Sequence, residues 1–291
     1  MNIEKWLKAN TAPLTCKTVA ITGSTGGLGQ EICDYLAFLG ANLVLLDRNP
    51  DKSRALQEKL QAKYTAVKIH RIRLDLEQTD LVKAVTEKLC TLPIDILILN
   101  AGAYSIPRHK CATGLDNVFQ INFLSPYYIA RELLPFLRRR DGKVVAVSSI
   151  AHNYSRTDKN DIDFSTRKQA SLVYGNAKRY LTFSLYGLTA GENLSITHPG
   201  ITFTNITAHY PKFIFALIKH PMKIIFMSPK KAALSIIKGI FEPCRNNEWI
   251  GPRLFNIWGL PQKQRFNTCK EEEYAEICKT ADMLYCKMKE L

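Results

Sequence analysis

Thr18-Val19-Ala20-Ile21-Thr22-Gly23-Ser24-Thr25-Gly26-Gly27-Leu28-Gly29 is the stretch that decides the fold. A short β-branched run enters a glycine-dense turn, and the turn opens a helical pattern over residues 30–39 that stops at Gly40. Glycines permit a tight bend and let the backbone come close to a ligand. The free N–H groups of the new helix then point at phosphate oxygens. A strand before the turn and a helix after it are the context this motif requires. Thr22, Gly23, Ser24, Thr25, Gly27, Leu28 and Gly29 are therefore the expected cradle for a nucleotide pyrophosphate.

Working outward, residues 42–46 form a second apolar strand ending in Asp47-Arg48, with Asp47 eighteen residues past Gly29. A carboxylate there can accept hydrogen bonds from adenosine ribose hydroxyls, and its charge repels a 2′-phosphate, which favours NAD. Arg48 can instead bind the 2′-phosphate, which keeps NADP open. A helix is predicted over 51–63, and a third strand runs from Val67 to Leu74, closed by Asp75-Leu76. Another helix covers 78–90. Residues 94–99 are then nearly continuously apolar and end in Asn100-Ala101-Gly102. A strand buried on both faces looks like this.

A long helical pattern over 116–137 contains Asn122, and a fifth strand, 143–147, delivers Ser148-Ser149. Residues 151–169 are polar and irregular and read as a loop at the carboxyl edge of the sheet, where such folds bind ligands. A helix then carries Tyr174-Gly175-Asn176-Ala177-Lys178, and a sixth strand, 194–198, leads to Pro199-Gly200. Ser228-Pro229 caps a helix reaching Phe241. Residues 270–290 make a final, mostly polar helix. Strands alternating with helices predict an α/β fold: a single-domain, Rossmann-type, doubly wound parallel sheet with helices on both faces.

The chain of 291 residues can bury a large core, and a net charge of +14 suggests an anionic neighbour. Its eight cysteines are scattered, with neither zinc spacing nor a disulfide framework, as in a reduced cytoplasmic protein; no metal is expected. Residues 1–17 lack an apolar h-region, and no run is long enough to cross a bilayer. Nucleic-acid binding has only net charge behind it and is not expected.

Taken together, Thr22-Gly23-x-x-x-Gly27-x-Gly29, Asp75, Asn100-Ala101-Gly102, Asn122, Ser149, Tyr174-x-x-x-Lys178 and Pro199-Gly200-x-x-x-Thr204 resemble the short-chain dehydrogenase/reductase family over residues 17–251. Val147-Ser148-Ser149-Ile150-Ala151-His152, the long Ser-to-Tyr insertion and His198-Pro199-Gly200 look most like its retinol dehydrogenase-like branch. Asp47 departs from that branch, which usually has an uncharged residue there and prefers NADP. Leu99 replaces a common asparagine. The resemblance implies an oxidoreductase moving hydride between NAD(P) and an alcohol or carbonyl. It also implies a homodimer or homotetramer. A silent dinucleotide-binding regulator and a sugar-nucleotide epimerase are the alternative readings.

Tyr174 and Lys178 are four apart and share a helix face. A phenol titrates near ~10, and a neighbouring ammonium lowers that value toward a usable base. Either Ser148 or Ser149 could donate to the substrate oxygen by chemistry alone; the resemblance points to Ser149. It further implies that Lys178 holds the nicotinamide ribose and that Asn122 supports a water relaying protons to Lys178. Thr204 would hold the carboxamide beside Pro199 and Gly200. Asp75, Leu76, Asn100, Ala101 and Gly102 would line the adenine side. His198 is expected to be structural and His152 to lie on a loop surface.

Residues 201–240 hold six lysines and no acid. The resemblance implies that the region after Pro199-Gly200 lids the substrate pocket, and two apolar patches between Lys212 and Met227 then suggest a hydrophobic substrate such as a lipid, steroid or retinoid-like alcohol. Residues 212–231 could also lie on a membrane surface. The expected layout is one domain, 1–291, with a core of about 17–251, an insertion at 151–170, a lid at 201–240 and a C-terminal extension at 252–291.

Overall fold

The computed structural model describes residues 2–189, 192–201, 227–245, 247–265 and 269–291. Thr204, and the 212–226 part of the expected membrane-facing segment, fall outside them. Eight strands form one sheet: β1 (Thr18–Thr22), β2 (Asn42–Asp47), β3 (Ile69–Arg73), β4 (Ile96–Leu99), β5 (Lys143–Val147), β6 (Leu194–Thr197), β7 (Glu248–Leu254) and β8 (Trp258–Arg265). Their order is β3-β2-β1-β4-β5-β6-β7-β8, parallel from β1 to β7, with β8 antiparallel to β7. The chain reverses direction across the sheet between β1 and β4, which opens a crevice at their carboxyl ends.

Both faces of the sheet are covered, which is why β1, β4 and β5 are almost wholly apolar. Ala20, Leu97, Leu99, Val144 and Ala146 pack into one core. That core includes side chains from α4 (Thr79–Thr91), α5 (Ser125–Arg138), α6 (Ala170–Thr189) and α8 (Glu271–Glu290). The alternate residues Val19, Ile21, Ile96, Ile98, Val145 and Val147 face a second core. Its helices are α1 (Ile3–Asn10), α2 (Gly27–Phe38), α3 (Pro50–Lys63) and α7 (Pro229–Phe241).

Three differences from the sequence reading bear on function. The pattern over 116–137 is not one regular helix: Asn117–Phe119 passes into a π turn, Gln120–Leu124, before α5. Such widened turns often mark functional positions, and Asn122 sits inside this one. The second difference is β7 and β8, which straddle the expected core boundary at 251. Gly251, Pro252, Gly259 and Pro261 hide them in the sequence, and an edge hairpin tolerates such residues. The third is α8, which docks on the core through Ile277, Ala281, Leu284 and Met288. Their spacing of four, three and four forms a single apolar stripe.

Candidate active site

A cleft of about 950 Å³ runs along the carboxyl edge, from Arg48 and Lys52 at one end, past Gly23, Gly27 and Asn100, to Ser149, Tyr174 and Gly200 at the other. The glycine turn is needed for two separate reasons. Gly23 has φ +68°, and a Cβ there would lie 2.9 Å from the Ala101 Cα; a Cβ on Gly29 would lie 2.3 Å from the Gly23 carbonyl oxygen. Those two let backbone pack on backbone. Gly26 meets nothing nearer than 3.5 Å, so its missing side chain leaves room in the cleft. Gly26 is also the N-cap of α2, with no side-chain cap hydrogen bond and no acid in the first turn. The helix start keeps its positive end for an anion, so the cradle fits a pyrophosphate.

Asp47 corrects the sequence reading. Its carboxylate is 2% exposed and accepts from Ser24 Oγ (2.5 Å), Ser53 Oγ (2.9 Å), Thr25 N (3.1 Å) and Thr25 Oγ1 (3.3 Å). A carboxylate has about four acceptor positions, and these bonds fill them. Asp47 therefore ties the glycine turn to α3 instead of offering itself to a ribose. Ser24, expected at the cofactor, is fully buried and spent on Asp47. The Arg48 side chain stays 72% exposed and, among the described residues, its ion pair is a 3.9 Å contact to Glu77.

Asn100, Ala101, Gly102, Asp75 and Leu76 line the cleft. Asn100 Nδ2 donates to the Thr22 and Gly23 carbonyls, both at 3.0 Å, which locks the end of β4 against the turn. Asp75 accepts from Glu77 N (3.1 Å) and Gln78 Nε2 (3.3 Å) at the start of α4. Asn122 is fully buried, and its Nδ2 donates to the Ala103 and Val118 carbonyls, both at 2.8 Å. Its Oδ1 accepts from Ala103 N at 3.2 Å. Both side-chain donors are spent on backbone, so Asn122 staples the 100–103 turn from behind and does not line the cleft.

At the far end, three side chains meet. Ser149 ends the β5 connection and caps a 3-10 turn, Ile150–Asn153, through Ala151 N (3.2 Å). Tyr174, from the first half of α6, lines the same end of the cleft, and the Ser149 hydroxyl acts to lower the pKa of its phenol. Ser148 is held by Thr182 Oγ1 at 2.6 Å, so of the two serines it is Ser149 that faces the phenol. Lys178 Nζ donates to the Val147 carbonyl at 2.9 Å and lies 5.7 Å from the Tyr174 ring centre. Tyr104 packs edge-on against Tyr174, with centroids 5.4 Å apart.

Burial dominates the electrostatics here. It raises the phenol of Tyr174 above its ordinary range, against the lowering effect of the Ser149 hydrogen bond, with Tyr104 adding to the rise. Burial also brings Lys178 down to about 8. The lowering of the phenol by Lys178 expected from the sequence is not among the influences on Tyr174, where burial prevails.

His152 is a second correction. It is fully buried, not on a loop surface, and its Nδ1–H donates to the Ser149 carbonyl at 2.6 Å. The carbonyl can only accept, which places the proton on Nδ1. The ring meets Trp249 edge-on at 5.3 Å, while His198 stacks flat on the same indole at 5.1 Å. His198 is nearly fully buried and lines the cleft. Its ring is buried beside the cleft, and Trp249 on β7 was the partner hidden from the sequence.

Burial holds His152 at about 4 and His198 at about 3, both below the free value. Between about pH 6.5 and those values the unfolded chain binds more protons than the folded one, so stability falls as pH falls. Each fully titrating group gives a slope of about 1.4 kcal/mol per pH unit. Urea unfolding should show a marked loss between pH 7 and 5, reduced in His152→Gln; a flat profile would contradict the burial.

The sheet order, the uncapped helix behind a glycine turn and the Ser-Tyr-Lys cluster define a dinucleotide-binding oxidoreductase. The short chain dehydrogenase family matches residues 17–161, and the chain belongs to the short-chain dehydrogenase/reductase family of NAD(P)-dependent oxidoreductases. It is 25% identical over 249 residues to human polyprenol dehydrogenase, covering 79% of this chain and 74% of that one. To mouse retinol dehydrogenase 12 it is 27% identical over 227 residues, covering 75% and 71%. The fold also matches the short-chain dehydrogenase from Sphingobium yanoikuyae solved with NADPH. That match has a TM-score of 0.61 and 23% identity, and covers 77% and 83% of the two chains.

Proposed function

We propose that this protein interconverts a hydrophobic alcohol and its carbonyl, using Ser149, Tyr174 and Lys178. The observation that carries the reading is the meeting of a hydroxyl, a phenol and a buried amine at one end of a cleft whose other end is an open helix N-terminus. When bound, the nicotinamide takes up or supplies the hydride. The chain handles the proton: the Tyr174 oxygen accepts it from the alcohol in oxidation and returns it to the carbonyl oxygen in reduction. Ser149 donates a hydrogen bond to that same oxygen and stabilises its developing charge. Lys178 adds positive charge beside the phenol, Asn122 holds the turn opposite, and Pro199 and Gly200 close the cleft wall.

Tyr104, Ile150, Tyr154 and Ile201 make the outer wall apolar and aromatic. That wall suits a lipid-like substrate, as do the names of the polyprenol and retinol dehydrogenase relatives.

For the cofactor, one of the two reasons to prefer NAD goes with the acceptors of Asp47 filled, and its hydrogen-bonded charge is set against the two cations beside it. Arg48 and Lys52 line one end of the cleft, where they would face a 2′-phosphate, and a structural relative was solved with NADPH. NADP(H) is therefore the preferred form. A charge-assisted bond to the 2′-phosphate supplies about 1.5–3 kcal/mol, so Arg48→Ser should weaken NADPH binding roughly 10- to 100-fold. NADH binding should barely change. Fluorescence titration with both dinucleotides reads this directly, and tighter NADH binding by the unmodified protein would overturn it. A panel of long-chain and polyisoprenoid alcohols with the preferred form then tests the reaction; activity confined to small polar alcohols would refute the substrate class.

A further inference from the structure

We infer that the tip of the β7–β8 hairpin is a docking surface for an anionic lipid bilayer. Leu254, Phe255, Trp258 and Leu260 are 52%, 90%, 43% and 45% exposed. They fall within seven consecutive residues, while the other large exposed apolar side chains among the described residues are dispersed. Single exposed apolar residues are ordinary, but a cluster marks an interaction site. Leu254 pairs with Trp258 across the ladder, and Ile257 N bonds the Leu254 carbonyl at 2.9 Å, closing the turn.

The turn is unusual in its residues. Phe255 and Asn256 both have positive φ, 52° and 57°. Turns of this kind strongly favour glycine, asparagine or aspartate at both central positions. Here the first is a phenylalanine whose ring packs on almost nothing in the protein. The fold accepts a costly backbone conformation and recovers no burial for it, which makes sense if the ring is buried elsewhere.

The charges around the tip match an anionic surface. Arg253 adjoins it, and no acid occurs from Trp249 through Lys270. β7 runs parallel to β6, so the tip lies at the carboxyl edge of the sheet. Met227 N bonds the Ile201 carbonyl at 3.0 Å, so α7 starts at the same edge and places exposed Lys230 and Lys231 in its first turn. The acids of these elements, Glu242 and Glu248, are at the opposite end of α7 and β7. Phenylalanine, leucine and tryptophan settle at the headgroup–acyl boundary, and cations sit among anionic headgroups. A second copy of the chain fits less well. The β8 edge carries Pro261 and Lys263, which obstruct strand-to-strand pairing.

The tip also abuts the cleft. A Cβ on Gly200 would lie 2.8 Å from the Ile257 carbonyl oxygen and 2.9 Å from Pro252 Cγ. Docking by this hairpin would therefore set the Gly200–Ile201 end of the cleft against the bilayer.

The test uses the whole chain with large vesicles, sedimented and followed by tryptophan fluorescence. The protein should co-sediment with phosphatidylcholine vesicles containing phosphatidylserine and bind pure phosphatidylcholine much more weakly. Leu254→Ser combined with Phe255→Asn should reduce partitioning at least about tenfold, because it removes the apolar insertion. Arg253→Gln should reduce it roughly fivefold on anionic vesicles only. Circular dichroism and NADPH binding should stay unchanged in both variants, which separates this result from any failure of the catalytic reading. Three results would overturn the inference: absence of partitioning, partitioning unaffected by the paired substitution, and dimerisation abolished by that substitution without vesicle binding.

Discussion

Tyr174→Phe should abolish turnover while NADPH binding stays within about twofold of the unmodified protein. The substitution removes one oxygen atom and leaves the ring against Tyr104. In the proposed reaction that oxygen exchanges a proton with substrate, with Ser149 lining the same end of the cleft. A positioned acid–base group typically contributes a factor of about 10²–10⁴, and here no neighbour can replace it. Lys178 donates to the Val147 carbonyl, and the Ser148 hydroxyl is held by Thr182. The loss should appear in kcat, with little change in cofactor affinity. Retention of more than about a tenth of the activity would mean that another group carries the proton.

Glu273→Ala is expected to have the largest effect on stability. Arg179 follows Lys178 on α6, and its side chain is fully buried. It donates to Glu273 through both Nε (2.7 Å) and Nη2 (2.6 Å), and through Nη1 to the His152 carbonyl (3.1 Å). Glu273 is on the first turn of α8 and also accepts from Thr157 N at 3.1 Å. The C-terminal helix is thereby fastened to the catalytic helix and to the turn that positions Ser149. Burial pushes the Glu273 carboxyl up, but its bonds to Arg179 and Thr157 prevail and hold it below the usual carboxylate range. Removing the carboxylate leaves a guanidinium in the interior with its charge unbalanced, at a cost of about 3–5 kcal/mol.

Thermal unfolding should therefore fall by roughly 6–20 °C, at about 2–4 °C per kcal/mol for a chain near this size. The double replacement Arg179→Met with Glu273→Leu should recover most of that loss, since a matched apolar pair of similar volume is often no less stable than a buried ion pair. Activity should recover less fully than stability, because the bond from Arg179 to the His152 carbonyl is not restored. A single Glu273→Ala with unchanged melting would show that the pair carries no net stability.

What the chain's own sequence determined is the alternation of strands and helices, the glycine turn between β1 and α2, and the placing of Tyr174 and Lys178 one turn apart on a helix. Each is a local matter: hydrophobic period, turn chemistry, and two side chains one helical turn apart. Burial on both faces of β4 could be read from a single apolar run. Only the tertiary structure decided what became of groups whose partners are distant in sequence. Asp47 looks free to meet a ribose until Ser24 and Ser53 fold onto it. His152 looks exposed until Trp249 of β7 closes over its ring. Glu273 looks like one acid among three at the start of a polar helix until Arg179, 94 residues earlier, reaches it. Periodicity reports which face of an element is apolar, but not which polar groups will meet inside, because hydrogen-bond partners are set by how the layers close.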